Sequence, residues 1–99
     1  MTYQKQMIEE LLRNYTTLAY VIMLTGDEDL HTSKCDLDSA LRKLQKVSRN
    51  LYETIIGVFV YGNPIQEQAK QMNVSKRQIS RRLDDGLHML MMTMNGEVL

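Results

Sequence analysis

Covalent cross-links are excluded at once: the 99-residue chain has a single cysteine, Cys35, so no internal disulfide can form. Tryptophan is missing, proline occurs once at Pro64, and the five glycines fall at 26, 57, 62, 86 and 96. Such sparse punctuation, with almost no alternation of apolar and polar residues, argues against a hairpin-rich β protein and for helices. Long apolar runs are missing too. The longest, Leu18–Leu24, has seven residues, far short of the ~18 that a membrane span needs. The opening Met-Thr-Tyr-Gln-Lys-Gln does not feed a basic segment into an apolar one, so no secretory signal is expected and the expected location is the cytoplasm.

Net charge is also missing, with 12 bases against 12 acids, but the balance is uneven along the chain. Residues 1–40 carry three bases against seven acids, and residues 41–99 carry nine against five. That split points weakly to a polyanion-binding C-terminal half; chance scatter is the competing reading. At 43% hydrophobic residues the chain can fold, and its length suits one domain, which excludes a two-domain enzyme.

The expected architecture is all-α, a bundle of four to five helices ending in a helix-turn-helix. Residues 1–99 are expected to form one helical domain, with N-terminal helices over 1–50 and the helix-turn-helix core over 51–94. From Thr2 to Leu24, apolar residues including Ile8, Leu11, Leu12, Tyr15, Leu18 and Ile22 recur at three and four, one helical stripe closed by Gly26. A second helix is expected to open at Ser33 or Asp36 and to carry Leu37, Leu41 and Leu44 inward. A break is expected near Ser48–Asn50, where Asn50 and Glu53 resemble a capping box. Residues 51–61 are apolar nearly all round, which suits a central buried helix; a buried strand competes, and the helical neighbours favour helix.

Tyr61-Gly62-Asn63-Pro64 reads as a stop and restart, with a short helix to about Gln71. Met72-Asn73-Val74 is a tight connection, and Ser75 is an expected N-cap for a last helix reaching about Met94. Two helices joined in this way describe a helix-turn-helix. Ala69 is small where the helices cross, and Asn73 tolerates left-handed backbone. Val74 plugs the gap, and Ile79 and Leu83 anchor inward. That leaves Lys76, Arg77, Ser80 and Arg81 for the outer face with Arg82 beside it: four cations in seven residues at the end of a helix that enters the major groove in such motifs.

The stretch NPIQEQAKQMNVSKRQISRRLDDGLHML resembles the helix-turn-helix of sigma-70 region 4 and of the small phage-encoded transcriptional regulators related to it. The family's pattern of alanine, glycine, β-branched residue, serine, basic residues, β-branched residue and leucine is held by Ala69, Asn73, Val74, Ser75, Lys76-Arg77, Ile79 and Leu83. The preceding LYETIIGVFVYGNP resembles the helix before that motif, and the acidic, tyrosine- and leucine-rich N-terminal helix is similar to phage regulators of late genes. Two departures stand out. Asn73 replaces a glycine, and Gln68 stands where an aliphatic residue commonly precedes the alanine, which implies a weaker anchor for the first motif helix.

The resemblance implies a sequence-specific DNA-binding transcriptional regulator of phage or prophage type, and not an enzyme. Its DNA contacts would come from Lys70, Ser75, Lys76, Arg77, Gln78, Ser80, Arg81 and Arg82. The alternative is a helix-turn-helix interaction module that binds an RNA polymerase subunit or another regulator without touching DNA. Expected partners are therefore double-stranded DNA, a second copy of the chain, and RNA polymerase or another regulator; no membrane is expected.

Other chemistry is thin. His31 and His88 are far apart and no metal-ligand set is evident, so neither a metal nor a cofactor is expected. Cys35 lies near an expected helix entrance, where amide dipoles would activate it; an ordinary thiol is the competing reading. Met89, Met91, Met92 and Met94 exceed what one stripe through Leu83, Leu87 and Leu90 uses. Met89, Met91 and Met92 are thus either a broad core contact or an adaptable apolar interface, with Leu99 within reach.

Overall fold

The computed structural model describes residues 2–97, and Leu99 lies outside them. Six α-helices run in order: α1 (Lys5–Arg13), α2 (Tyr15–Thr25), α3 (Glu28–Val47), α4 (Arg49–Ile55), α5 (Ile65–Met72) and α6 (Lys76–Met94). A π-helical segment, Ile56–Val60, continues α4 without a break. The all-α bundle with its C-terminal helix-turn-helix is as expected. The extra helix arises because the first apolar stripe bends at Asn14 and so divides into α1 and α2.

Ile8, Leu12, Leu37, Leu44, Ile55 and Leu90 are fully buried and bring α1, α3, α4 and α6 around one core. Each comes from an apolar stripe spaced at three and four, the condition for a helix to present one face inward. Gly86 lets α6 approach α4 closely, since a Cβ there would lie 2.7 Å from Cγ1 of the buried Ile55. No helix among the described residues is long and apolar enough to cross a membrane.

Helix ends differ from the sequence expectation in two places. α3 begins at Glu28, a turn or more before Ser33 or Asp36, because the Asp27 carboxylate accepts from the Leu30 amide at 3.0 Å and Glu28 and Asp29 favour the positive helix end. The break before α4 falls where expected, but Ser48 caps it, its hydroxyl accepting from Leu51 N–H at 3.3 Å. Cys35 is therefore inside α3, exposed and away from any helix entrance.

Two polar devices tie the chain's ends and its N-terminal helices to the bundle. Tyr3 precedes α1 and is buried; its amide donates to Asn95 Oδ1 at 2.6 Å and its carbonyl accepts from Asn95 Nδ2 at 3.0 Å, a clasp between residues 92 positions apart. Its hydroxyl donates to Asp36 at 2.7 Å. Tyr15 donates to Asp38, which also accepts from Lys34 at 2.9 Å. Burial, then the bond to Asp38, pushes the Tyr15 phenol up to about 12. Although burial acts the other way, the bonds from Tyr15 and Lys34 hold the Asp38 carboxyl below its ordinary range.

Candidate nucleic-acid interface

The connection between α5 and α6 has the backbone that its residues favour. Asn73 adopts φ 57°, ψ 46°, the left-handed region that asparagine tolerates better than other non-glycine residues. The amide of Val74 donates to the Ala69 carbonyl at 3.0 Å, closing the end of α5. Ser75 then caps α6, its hydroxyl oxygen accepting from Gln78 N–H at 3.1 Å. Ala69, Ile79 and Leu83 are buried and Val74 is half-buried against the same core, so each residue expected to hold the motif together does so.

Gln68 behaves differently from the aliphatic residue it replaces. It is 4% exposed and fully bonded. Nε2 donates to the Glu53 carbonyl at 3.3 Å and lies 3.2 Å from Met72 Sδ, while Oε1 accepts from Asn63 Nδ2 at 3.0 Å. The amide lies against Gly57 in the π segment, where a Cβ would come within 2.2 Å of Oε1. The expected weak anchor is therefore a polar one. The wide turn and the missing side chain at Gly57 make room for the amide, and its hydrogen bonds offset the cost of burying it.

With Ile79 and Leu83 turned inward, the first two turns of α6 present Lys76, Arg77, Gln78, Ser80 and Arg81 exposed and Arg82 half-buried; Lys70 is exposed on α5. The two ion pairs among the described residues are Lys34–Asp38 and Arg49–Glu53, so none of these five cations is engaged in one. The amides of Lys76 and Arg77 have no backbone acceptor, and the positive end of a 19-residue helix adds to the cationic side chains. An anion or groove-edge phosphate is the natural complement of this end.

The next turn of α6 carries the opposite charge. Asp84 and Asp85 line the same open depression as Arg77, Gln78, Arg81 and Arg82, because residues 77, 81 and 84 share a helix face. The outer face of α6 is basic for two turns and acidic on the third. A polyanion lying along it is favoured only at the amino end, the orientation in which helix-turn-helix proteins read DNA.

Of the methionines, Met89, Met91 and Met94 pack against the core cluster and Met92 is half-buried. One pair with helical spacing escaped the sequence reading: Cys35 Sγ lies 3.8 Å from His31 Nε2, one turn apart on α3. Among the described residues no third ligand joins it.

A family model described as ECF sigma factor matches residues 4–88, from the start of α1 through most of α6. No curated protein and no solved structure matches the chain. Domains of the matched family are regulatory DNA-binding modules without catalytic activity. The Ser75 cap with the first three turns of α6, the left-handed turn and the helices packed behind them lie within the matched stretch, and the chain belongs to the ECF sigma factor family.

Proposed function

We propose that the protein is a small sigma-like transcription regulator that contacts promoter DNA in company with RNA polymerase. The carrying observation is the unpaired basic amino end of α6, presented by a family fold whose members work through polymerase and promoter. In this reading α6 enters the major groove by its first two turns. Ser75 and the free amides of Lys76 and Arg77 take phosphate, while Arg77, Gln78 and Arg81 reach base edges. Lys76, Ser80, Arg82 and, from α5, Lys70 line the backbone on either side.

Polymerase supplies what this chain lacks. Non-specific affinity for DNA comes mainly from phosphate neutralisation, and a chain of zero net charge with Asp84 and Asp85 beside its recognition face has little of it. The same two features favour a second reading, in which the fold binds a polymerase subunit with no DNA contact of its own. A phage or prophage origin and a cytoplasmic site of action fit the resemblance to small phage regulators.

Salt separates the two readings. Log affinity for duplex DNA, measured with polymerase present and absent, should fall with log salt at roughly −0.9 per phosphate engaged, so about −2.7 for Lys70, Lys76 and Arg82 on the backbone. Binding to polymerase that is unaffected by adding or omitting DNA, together with no salt-dependent DNA affinity, would establish the second reading in place of the first.

A further inference from the structure

The apolar surface that the fold leaves most open is on α2. Tyr20, Met23 and Leu24 are 59%, 72% and 64% exposed. Their spacing, with Thr16 one turn earlier, forms a continuous stripe on the face opposite Leu18, the buried residue of this helix. No charge interrupts residues 14–26. With Val21 beside it, the stripe reaches the few-hundred-Å² range (roughly 300–600 Å²) at which the largest apolar patch of a monomer is often functional. The groove of about 480 Å³ between α1, α2 and α3 is on the other side of α2, floored by Leu11, Leu18 and Leu30 and edged by Glu10, Asp27 and Asp29, so it is separate from this stripe.

The electrostatics of α2 select what covers this face. Its amino end follows the exposed Arg13. Its carboxyl end leads straight into Asp27, Glu28 and Asp29, which open α3. A second α2 laid antiparallel sets these acids of each copy toward Arg13 of the other; a parallel one stacks acid on acid. A two-fold contact also requires a self-complementary surface, and an uncharged stripe meets that requirement with no like charges opposed.

We propose that the outward face of α2 is the contact between two copies of this chain, paired antiparallel about Tyr20, with the apolar stripe of each lying along the stripe of the other. α2 packs against α1 and α3, neither of which carries the recognition residues, so the pairing leaves the basic end of α6 open. The inference is independent of whether α6 touches DNA.

Sedimentation velocity on the full chain should give twice the 11.5 kDa monomer mass at high micromolar concentration. Tyr20→Glu with Leu24→Glu should halve that mass with an unchanged far-ultraviolet dichroism spectrum, since both side chains are exposed. For orientation, copper–phenanthroline oxidation in a Cys35→Ser background should couple Tyr20→Cys chains covalently and leave Thr16→Cys chains uncoupled. A monomeric wild type overturns the proposal. So does a dimer that survives the α2 substitutions, above all one that instead dissociates with Met92→Gln, which would put the contact on α6. Ready coupling through Thr16→Cys overturns the antiparallel arrangement.

Discussion

Two asparagines sit at bends between consecutive helices, and they do opposite work. Asn73 holds left-handed backbone between α5 and α6, followed by a capping serine and flanked by buried Ala69 and Ile79. Asn14, between α1 and α2, has φ −102° and ψ 11°; it gives α2 no side-chain cap, and its side-chain amide donates back to the Glu10 carbonyl at 2.8 Å, at the end of α1. At Asn73 the conformation is one that few side chains accept, so the residue type announces the turn. At Asn14 almost any residue could occupy the backbone. The bend there follows from what the two helices pack on, with Ile8 and Leu12 in the core and Tyr15 held by Asp38 on α3.

The contrast is sharpest at the recognition helix, where the largest effect is expected. Replacing Arg77 and Arg81 by alanine removes two adjacent contacts on one face, and base contacts of the bidentate kind contribute about 1–3 kcal/mol each. Specific promoter affinity should fall by roughly 2–6 kcal/mol with helical content unchanged. A titration at moderate salt, with polymerase supplied, checks it, and unaltered affinity would remove α6 from the DNA.

Packing behind that helix should be the next most sensitive. Ala69→Leu overfills the α5–α6 crossing, and Gly86→Ala drives a methyl group into Ile55; overpacking of this kind costs ~1–3 kcal/mol. For Gly86→Ala the gain in helix propensity, about 1 kcal/mol, offsets part of the loss. Thermal melts of both variants should show a lower midpoint, with Ala69→Leu the worse.

A direct comparison of the two bends comes third. Asn73→Ala forces an ordinary side chain into left-handed backbone and should cost about 1–2 kcal/mol, whereas Asn14→Ala should stay within about 0.5 kcal/mol of wild type. Urea denaturation of the pair decides it. Equal losses would mean that the α1–α2 bend is as locally encoded as the motif turn.

The smallest effect is on pH. A Tyr15 phenol raised to about 12 keeps its proton more firmly in the folded state than in the unfolded chain, where it titrates near 10.0. Its contribution is fully present below pH 10 and is lost as pH rises toward 12. Tyr15→Phe should flatten the alkaline limb of the stability curve over that interval while lowering stability at neutral pH.

The helix-turn-helix was readable because each of its requirements is local. Ser75 caps within its own turn, Asn73 bends at its own φ, and Ile79 and Leu83 are spaced to share a face. The acidic third turn is equally local, since the spacing of residues 77, 81 and 84 puts Asp84 on the basic face. Gln68 could not be read, because its partners, Glu53, Gly57 and Asn63, come from the preceding helix and loop and meet it only in three dimensions. The clasp between Tyr3 and Asn95 escaped for the same reason, joining residues at opposite ends of the chain.

What the sequence determined by itself is the class of fold and the motif, since apolar period, capping residues and turn conformers act over one to four positions. Tertiary structure alone decided where α1 bends into α2, how a buried glutamine anchors α5, and which apolar residues stay outside. Those outcomes depend on which faces find partners. Met89, Met91 and Met94 of α6 found the core, and Tyr20, Met23 and Leu24 of α2 did not.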